Sequence, residues 1–359
     1  MMSTAPANVA AVRAALERLL DDDDLTQDEA GQLLLDLTAA DLAPALAGAV
    51  LTALRAKGVT ADELRGFAGM MRSLAKRPRL PPLEKAVDIV GTGGDRSGSL
   101  NLSTGAALLA AACGLPVIKH GNRSVSSRAG SADVLEALGL PMPLNEEAAV
   151  RCFGAVGFTF LFAPFYHAAT RNIAPVRAAL GVRTVFNILG PLSNPAAPSH
   201  LVIGAFDLET ADLMAHALRG SGIRRAFVIH GAHGWDEPTP IGPFTLFDVD
   251  QYSVRCEQRS PQQYGLPLCR PEALAGADAA HNARELTRAL SESGPSAHRD
   301  ALLLGTALTL EVMGAESEPR AAVARAAQAI DSGAAATLLM RLRQFGDEQR
   351  LVEGSVESG

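Results

Sequence analysis

The residues of this 359-residue chain that could do chemistry concentrate between Asp88 and Gly139. One polar run is Gly91-Thr92-Gly93-Gly94-Asp95, followed by Asn101-Leu102-Ser103-Thr104; a second is Lys119-His120-Gly121-Asn122-Arg123-Ser124-Val125-Ser126-Ser127. Each follows a short apolar run and precedes a helix-like segment, which is where α/β proteins hold phosphorylated ligands. Glycine lets the backbone approach a phosphate closely, and a helix N-terminus adds free amides and partial positive charge. Asn101, Ser103 and Thr104 stand where the first of these helices begins, as ligands for phosphate oxygens or for a magnesium ion bridging them. A tight turn followed by a capped helix is the alternative there. In the second run Lys119 and Arg123 supply charge, Asn122, Ser124, Ser126, Ser127 and Ser131 supply neutral hydrogen-bonding groups, and Gly121 and Gly130 relieve crowding. The third element is Gly234-Trp235-Asp236-Glu237 after the apolar run Ala226–Ile229. Adjacent carboxylates at a strand end suit magnesium held through oxygens and water, although such a pair is also common in solvated turns. Two familiar phosphate motifs are excluded. A P-loop needs Gly-Lys-Ser/Thr and no lysine is present here, and a dinucleotide fingerprint needs glycine where Arg96 stands.

These runs need a scaffold, and the sequence divides into two kinds of texture. Up to about Arg79 it reads as helices alone. Thr26-x-x-Glu29 and Thr60-x-x-Glu63 are capping-box patterns, and Leu64, Phe67, Ala68 and Met71 then recur at helical spacing. Gly58 is a stop for the helix before the second box, and Pro78, Pro81 and Pro82 mark a linker. From Lys85 short strand-like runs alternate with helices. Ala86–Val90, Leu115–Ile118, Leu201–Ala205, Ala226–His230 and Phe244–Val249 read as strands. Thr104–Cys113 and Ser131–Leu138 read as helices, the latter with Ser131 as N-cap, and 167–180 reads as helical, without strand character. The fold class expected is α/β: a small all-helical domain, residues 1–80 joined by helices from about 165–182, and a larger α/β domain over 81–350. Its central sheet is expected to be mainly parallel and flanked by helices.

Composition narrows the function classes. A net charge of −7 argues against a nucleic-acid partner, which would need a basic face. Aromatics are 4%, so the core must rest on Ala, Leu and Val. The acidic run Asp21–Asp24 reads as a solvated loop. Cys113, Cys152, Cys256 and Cys269 form no Cys-x-x-Cys pair and suit reduced thiols in the cytoplasm. The start of the chain lacks the pattern of a signal peptide, and the most apolar segment, Ala106–Ile118, is too short and too interrupted to cross a membrane.

Taken together, the three polar runs resemble the anthranilate phosphoribosyltransferase family. The likeness continues through Gly130-Ser131-Ala132-Asp133, Phe162-Ala163-Pro164, Ala174-Pro175-Val176-Arg177, Gly181-Val182-Arg183-Thr184 and Phe186–Pro195, and covers most of 85–250 in order. The resemblance implies transfer of a phosphoribosyl group from phosphoribosyl pyrophosphate to the amino group of anthranilate, with Mg2+, in tryptophan biosynthesis. It also implies a site between the two domains and a homodimer formed through the helical one. Carried onto this sequence, Gly91, Gly94, Asp95 and Ser99 line the sugar-pyrophosphate, and Asn101, Leu102, Ser103 and Thr104 bind the pyrophosphate. Lys119 and the loop through Ser127 (His120, Gly121, Asn122, Arg123, Ser124, Val125 and Ser126 included), with Ser131, complete that pocket. Ser103, Asp236 and Glu237 are the metal ligands it implies; Asn122 and Arg177 contact anthranilate, with His120 and His167 along its path. Lys119, His120 and Arg177 are the catalytic candidates.

The chain departs from the family pattern at four places. Arg96 stands for a glycine, Ile118 for a small residue, His167-Ala168-Ala169-Thr170 for His-Pro-Ala-Met, and Gly305 for an asparagine. A paralogue with another aromatic amine or heterocycle as acceptor, or a nonenzymatic binding protein of the same fold, are the alternatives that these departures leave open.

Overall fold

The computed structural model describes residues 6–81, 84–123, 128–291 and 294–356, with backbone alone for 353–356. Four helices come first: α1 (Val9–Leu20), α2 (Gln27–Leu37), α3 (Pro44–Lys57) and α4 (Ala61–Leu74). Both expected capping boxes form. Glu29 N donates to Thr26 Oγ1 at 3.3 Å while Thr26 N donates to Glu29 Oε2 at 2.8 Å, and Thr60 and Glu63 repeat the exchange. Glu63 is buried, and it also accepts from Leu25 N and pairs with Lys57, so one side chain caps α4 and ties it to the start of α2. Gly58 ends α3 at φ +89°, a conformation that glycine adopts without strain. The Asp21–Asp24 run is exposed, as expected of a solvated loop, although Asp24 holds Lys57.

The remainder runs β1 (Val87–Gly91), α5 (Leu102–Ala112), β2 (Val117–Gly121), α6 (Ser131–Ala137), α7 (Glu146–Val156), β3 (Phe158–Phe162), α8 (Ala163–Tyr166), α9 (Ala174–Leu180) and α10 (Phe186–Leu189). It continues with β4 (His200–Gly204), α11 (Leu208–Leu218), β5 (Arg225–His230), β6 (Phe244–Asp250), β7 (Val254–Arg259), α12 (Ala279–Ala289), α13 (Ser296–Val312), α14 (Pro319–Asp331) and α15 (Ala334–Val356). The described strands form one sheet in the order β3-β2-β1-β4-β5-β6-β7, parallel up to β5 and antiparallel for β6 and β7.

Period-two alternation divides the core between the two faces of this sheet. Leu201, Ile203, Ala226 and Val228 pack with α11 and the N-terminal helices, whereas Val202, Phe227 and Ile229 pack with the core formed by α5 and α12–α15. Ile173 and Val176 lie in the same core as Val50 and Leu51, and Asn172 Nδ2 donates to Thr38 O. Arg65 fastens α4 to the carbonyl end of α11 by donating to His216 O and Ala217 O, where the helix dipole favours a cation.

Three local expectations need correction. Gly130, not Ser131, caps α6; Gly130 N donates to Asp133 Oδ2 at 2.8 Å and Ser131 is the first helical residue. The 167–180 segment is broken: a short 3-10 turn (Ala168–Arg171) precedes α9, whose first turn contains Pro175, a residue without the N–H that a continuing helix needs. Strands β3 and β7 were not expected. The first, Phe158–Phe162, is apolar on both faces apart from the buried Thr159, and the second is an edge strand with an exposed, charged interior, so neither shows clean alternation.

Candidate active site

The strand order dictates where a site can form. From β1 the chain winds outward to β2 and β3, then crosses back to β4 on the other side of β1 and winds the opposite way. The C-terminal ends of β1 and β4, Gly91 beside Gly204, therefore flank a crevice. The segment carrying Asp236 lies over both glycines. A Cβ on Gly91 would fall 2.4 Å from Asp236 Oδ2, and one on Gly204 would fall 1.4 Å from Asp236 O. Glycine at these strand ends is what lets the carboxylates sit inside the glycine-rich loop.

The expected residues converge there. Asp236 Oδ2 accepts from Gly93 N at 2.5 Å, and Asp236 N donates to Asp95 Oδ2 at 3.3 Å. Glu237 Oε1 accepts from Ser103 N at 2.9 Å, an amide in the first turn of α5 that has no partner within its helix. Ser99 Oγ lies 3.5 Å from Glu237 Oε2. Burial raises the pKa of both Asp236 and Glu237; repulsion from Asp95 raises that of Asp236 further, and repulsion from Asp236 and Asp95 raises that of Glu237. Asp236 is buried and Glu237 half-buried. No cluster of three or more His, Cys, Asp or Glu side chains able to hold a metal by itself exists among the described residues. A pair of carboxylates suits magnesium, which takes one or two carboxylates and completes its shell with water and phosphate.

Behind this edge, the Lys119 side chain is buried and its Nζ donates to Ile89 O. Burial lowers its pKa, against attraction from Asp88, Glu237 and Asp236. Asn101 is engaged at both ends, donating from Nδ2 to Ala129 O at 3.1 Å and accepting from Asn282 Nδ2 at 2.8 Å. It thus joins the start of α5 to the approach to α6 and to α12. Leu102 and Thr104 are buried in the first turn of α5, and Thr104 Oγ1 has no hydrogen-bond partner among the described residues. Gly121 ends β2 with the Phe160 ring where a Cβ would project and Ser131 next to it. Asn122 and Arg123 are exposed; Arg123 pairs with Asp133 and Glu136 on α6, which holds its guanidinium above the usual range. Ser124, Val125, Ser126 and Ser127 lie outside the described residues.

On the other side of β2, His120 and His167 are buried with ring centroids 5.1 Å apart. His120 Nδ1 is 3.1 Å from Gly190 O, while His120 Nε2 has no hydrogen-bond partner among the described residues. Burial pushes their pKa values down to about 3 and about 4, so both rings are neutral. The Arg177 guanidinium lies 5.0 Å from the Phe186 ring centroid, half-buried, with no carboxylate paired to it among the described residues.

Two contributors escaped the sequence reading. Asp88, inside β1, accepts from His120 N at 3.2 Å and from Asn194 Nδ2 at 2.9 Å, and burial raises its pKa to about 6. An acid within an otherwise apolar strand was the signal available. Asn194 also donates to Ile118 O, so Asp88 and Asn194 lock β1 against β2 under the site.

The comparisons agree with this geometry. Residues 83–336 match the model of the glycosyl transferase family, a/b domain, and residues 13–75 match its helical bundle domain. A relative from Methylobacterium nodulans named anthranilate phosphoribosyltransferase is 45% identical over 318 residues, covering 89% of this chain and 94% of its own. The chain belongs to the anthranilate phosphoribosyltransferase family. Among solved structures of anthranilate phosphoribosyltransferases, that from Thermus thermophilus superimposes with a TM-score of 0.87 at 39% identity, over 93% of this chain and 99% of that one. The Saccharomyces cerevisiae enzyme, in complex with PRPP and Mg, gives 0.86 at 27% identity over 94% and 98%. The same yeast enzyme is also known in complex with 4-fluoroanthranilate.

Proposed function

We propose that this chain transfers the phosphoribosyl group of phosphoribosyl pyrophosphate to the amino group of anthranilate, giving N-(5-phosphoribosyl)anthranilate and pyrophosphate in tryptophan biosynthesis. The observation that carries this reading is the pair of adjacent carboxylates, Asp236 and Glu237, held by the glycine loop and by the first turn of α5. When bound, magnesium would neutralise the pyrophosphate as it leaves, with Ser103, Asp236 and Glu237 to hold it. The amides of the glycine loop and of the α5 N-terminus, with the Lys119 charge behind them, stabilise the same negative charge.

Neutral surroundings suit the acceptor. An aromatic amine is already uncharged near neutral pH and needs no strong base to attack. Once the C–N bond forms, its nitrogen becomes acidic, and a weakly basic neutral imidazole such as His120 or His167 suffices to accept the proton. Arg177 is the partner for the acceptor carboxylate, since a half-buried guanidinium without an acid of its own among the described residues is a ready anion site. Two of the departures lie near this path. The Ala168 side is exposed, and Thr170 Oγ1 is occupied by His167 O at 2.7 Å.

The helical unit, 1–80 with 165–182, and the donor-binding unit, 81–350, are the working parts of this proposal, supported by the shared core of Ile173 and Val176 with α3. A cytoplasmic homodimer through the helical unit completes it, supported by the family resemblance. Sedimentation of the purified chain as a single subunit would remove the dimer from the proposal. The function itself is tested by expressing the chain in a bacterium that needs tryptophan because it lacks this transferase. Growth without tryptophan is expected, and failure of a well-expressed soluble chain to restore it counts against the assignment.

A further inference from the structure

Arg183 connects the helical unit to the donor loop through three contacts. Its guanidinium donates from Nη2 to Gly94 O and stacks 3.7 Å from the Phe206 ring centroid, while its own carbonyl accepts from Arg55 Nη1 of α3. The neighbouring loop residues are fixed from the sheet side. Thr92 N donates to Gly204 O, Phe206 N donates to Thr92 Oγ1, and Gly93 N is taken by Asp236. Gly94, at φ +76°, is held from the opposite side by Arg183, whose Nη2 would lie 3.2 Å from a Cβ at that position. No ion pair occupies the Arg183 guanidinium among the described residues, so its charge stands beside the backbone that faces the donor phosphates.

We infer that Arg183 is a positioning residue of the donor loop, and that through Arg55 it makes donor affinity depend on where the helical unit sits. The inference rests on the donor-site reading above. Arg183 sets the Gly94 peptide, and with it the direction in which the following amides point, while the stack on Phe206 keeps the planar guanidinium in register. Lysine carries the charge but neither the plane nor the fork, so it does not replace arginine here.

Arg183 and Arg55 are exposed, so substitution leaves the core intact. The test measures binding of Mg2+-phosphoribosyl pyrophosphate to the wild type, Arg183→Ala, Arg183→Lys, Arg55→Met and the double variant Arg183→Ala/Arg55→Met. Loss of about tenfold in donor affinity is expected for Arg183→Ala, with little rescue by lysine and an unchanged KM for anthranilate. Arg55→Met should cost about threefold, and the double variant about tenfold rather than the full product, because both act through one contact chain. Unchanged donor affinity in Arg183→Ala, or fully multiplicative effects, would overturn the inference. Amide hydrogen exchange on the ligand-free protein supplies a readout that does not depend on the reaction. Faster exchange at 94–96 in Arg183→Ala is expected, and identical exchange overturns the inference even if the assigned activity stands. A wild type that fails to bind the donor, with the exchange difference present, would fault the functional assignment instead.

Discussion

At the scale of single residues, the site separates charge by burial. Arg177 has no acid partner among the described residues, so Arg177→Ala should raise the KM for anthranilate roughly tenfold to a hundredfold, the worth of a charge-assisted bond, while sparing the KM of the donor. Steady-state kinetics with each substrate varied in turn decide this, and an unchanged anthranilate KM takes Arg177 out of the site. Glu237→Gln keeps the shape but removes one of two repelling charges. It should lower turnover by at least about tenfold and move the magnesium requirement to higher concentration; a superimposable magnesium titration contradicts the metal role. The histidines give a pH signature. Burial holds His120 near about 3 and His167 near about 4, below the ordinary 6.5, so the unfolded chain binds more protons across that interval. Stability therefore falls as pH falls through it. His167→Gln should flatten this acid limb when Tm is followed from about pH 7 to about pH 4.5, and an equally steep limb would mean that His167 is not buried neutral.

At the scale of elements, α2 and α4 cross so closely at Gly66 that a Cβ there would lie 2.1 Å from Gln27 O and 3.1 Å from Ala30 Cβ. Gly66→Ala should cost about 2–3 kcal/mol by overpacking. Gly69, on the same helix with nothing within 4 Å of its Cβ position, should gain about 1 kcal/mol as alanine. Denaturant unfolding of the two variants is the measurement; equal effects would mean that the crossing is not tight. The same contrast explains what was legible in the sequence. Capping boxes at Thr26 and Thr60 are signals within one turn, and both could be read directly. The strands leading into the glycine loops were legible because polar loops bound their apolar runs. Strand β3 lacked alternation because both of its faces are covered, and β7 lacked it because its charged side chains lie at the sheet edge. The Gly66 crossing depends on a partner more than thirty residues away, and nothing in its local sequence announces it.

For the whole molecule, the positions of Gly91, Lys119 and Asp236 on three different segments become one site only through the reversal of strand order at β1 and β4. The polar loops were readable as phosphate-binding candidates, but their juxtaposition came from topology. Asp88 with Asn194, and Arg183 with Gly94, were invisible for the same reason: each joins residues some ninety to a hundred positions apart. Arg96 was visible as a departure, and the structure gives it physical content. Its φ of +59° is a conformation that glycine adopts freely and arginine adopts at a cost of about 1 kcal/mol. The departure therefore burdens the donor loop without filling it, since the Arg96 side chain is exposed. All of these features bear on one claim, that the crevice joins phosphoribosyl pyrophosphate to anthranilate. The most direct test mixes purified protein with magnesium, phosphoribosyl pyrophosphate and anthranilate and follows anthranilate fluorescence. The account predicts a magnesium-dependent loss of signal that Glu237→Gln slows; a steady signal under conditions where the donor binds would contradict it.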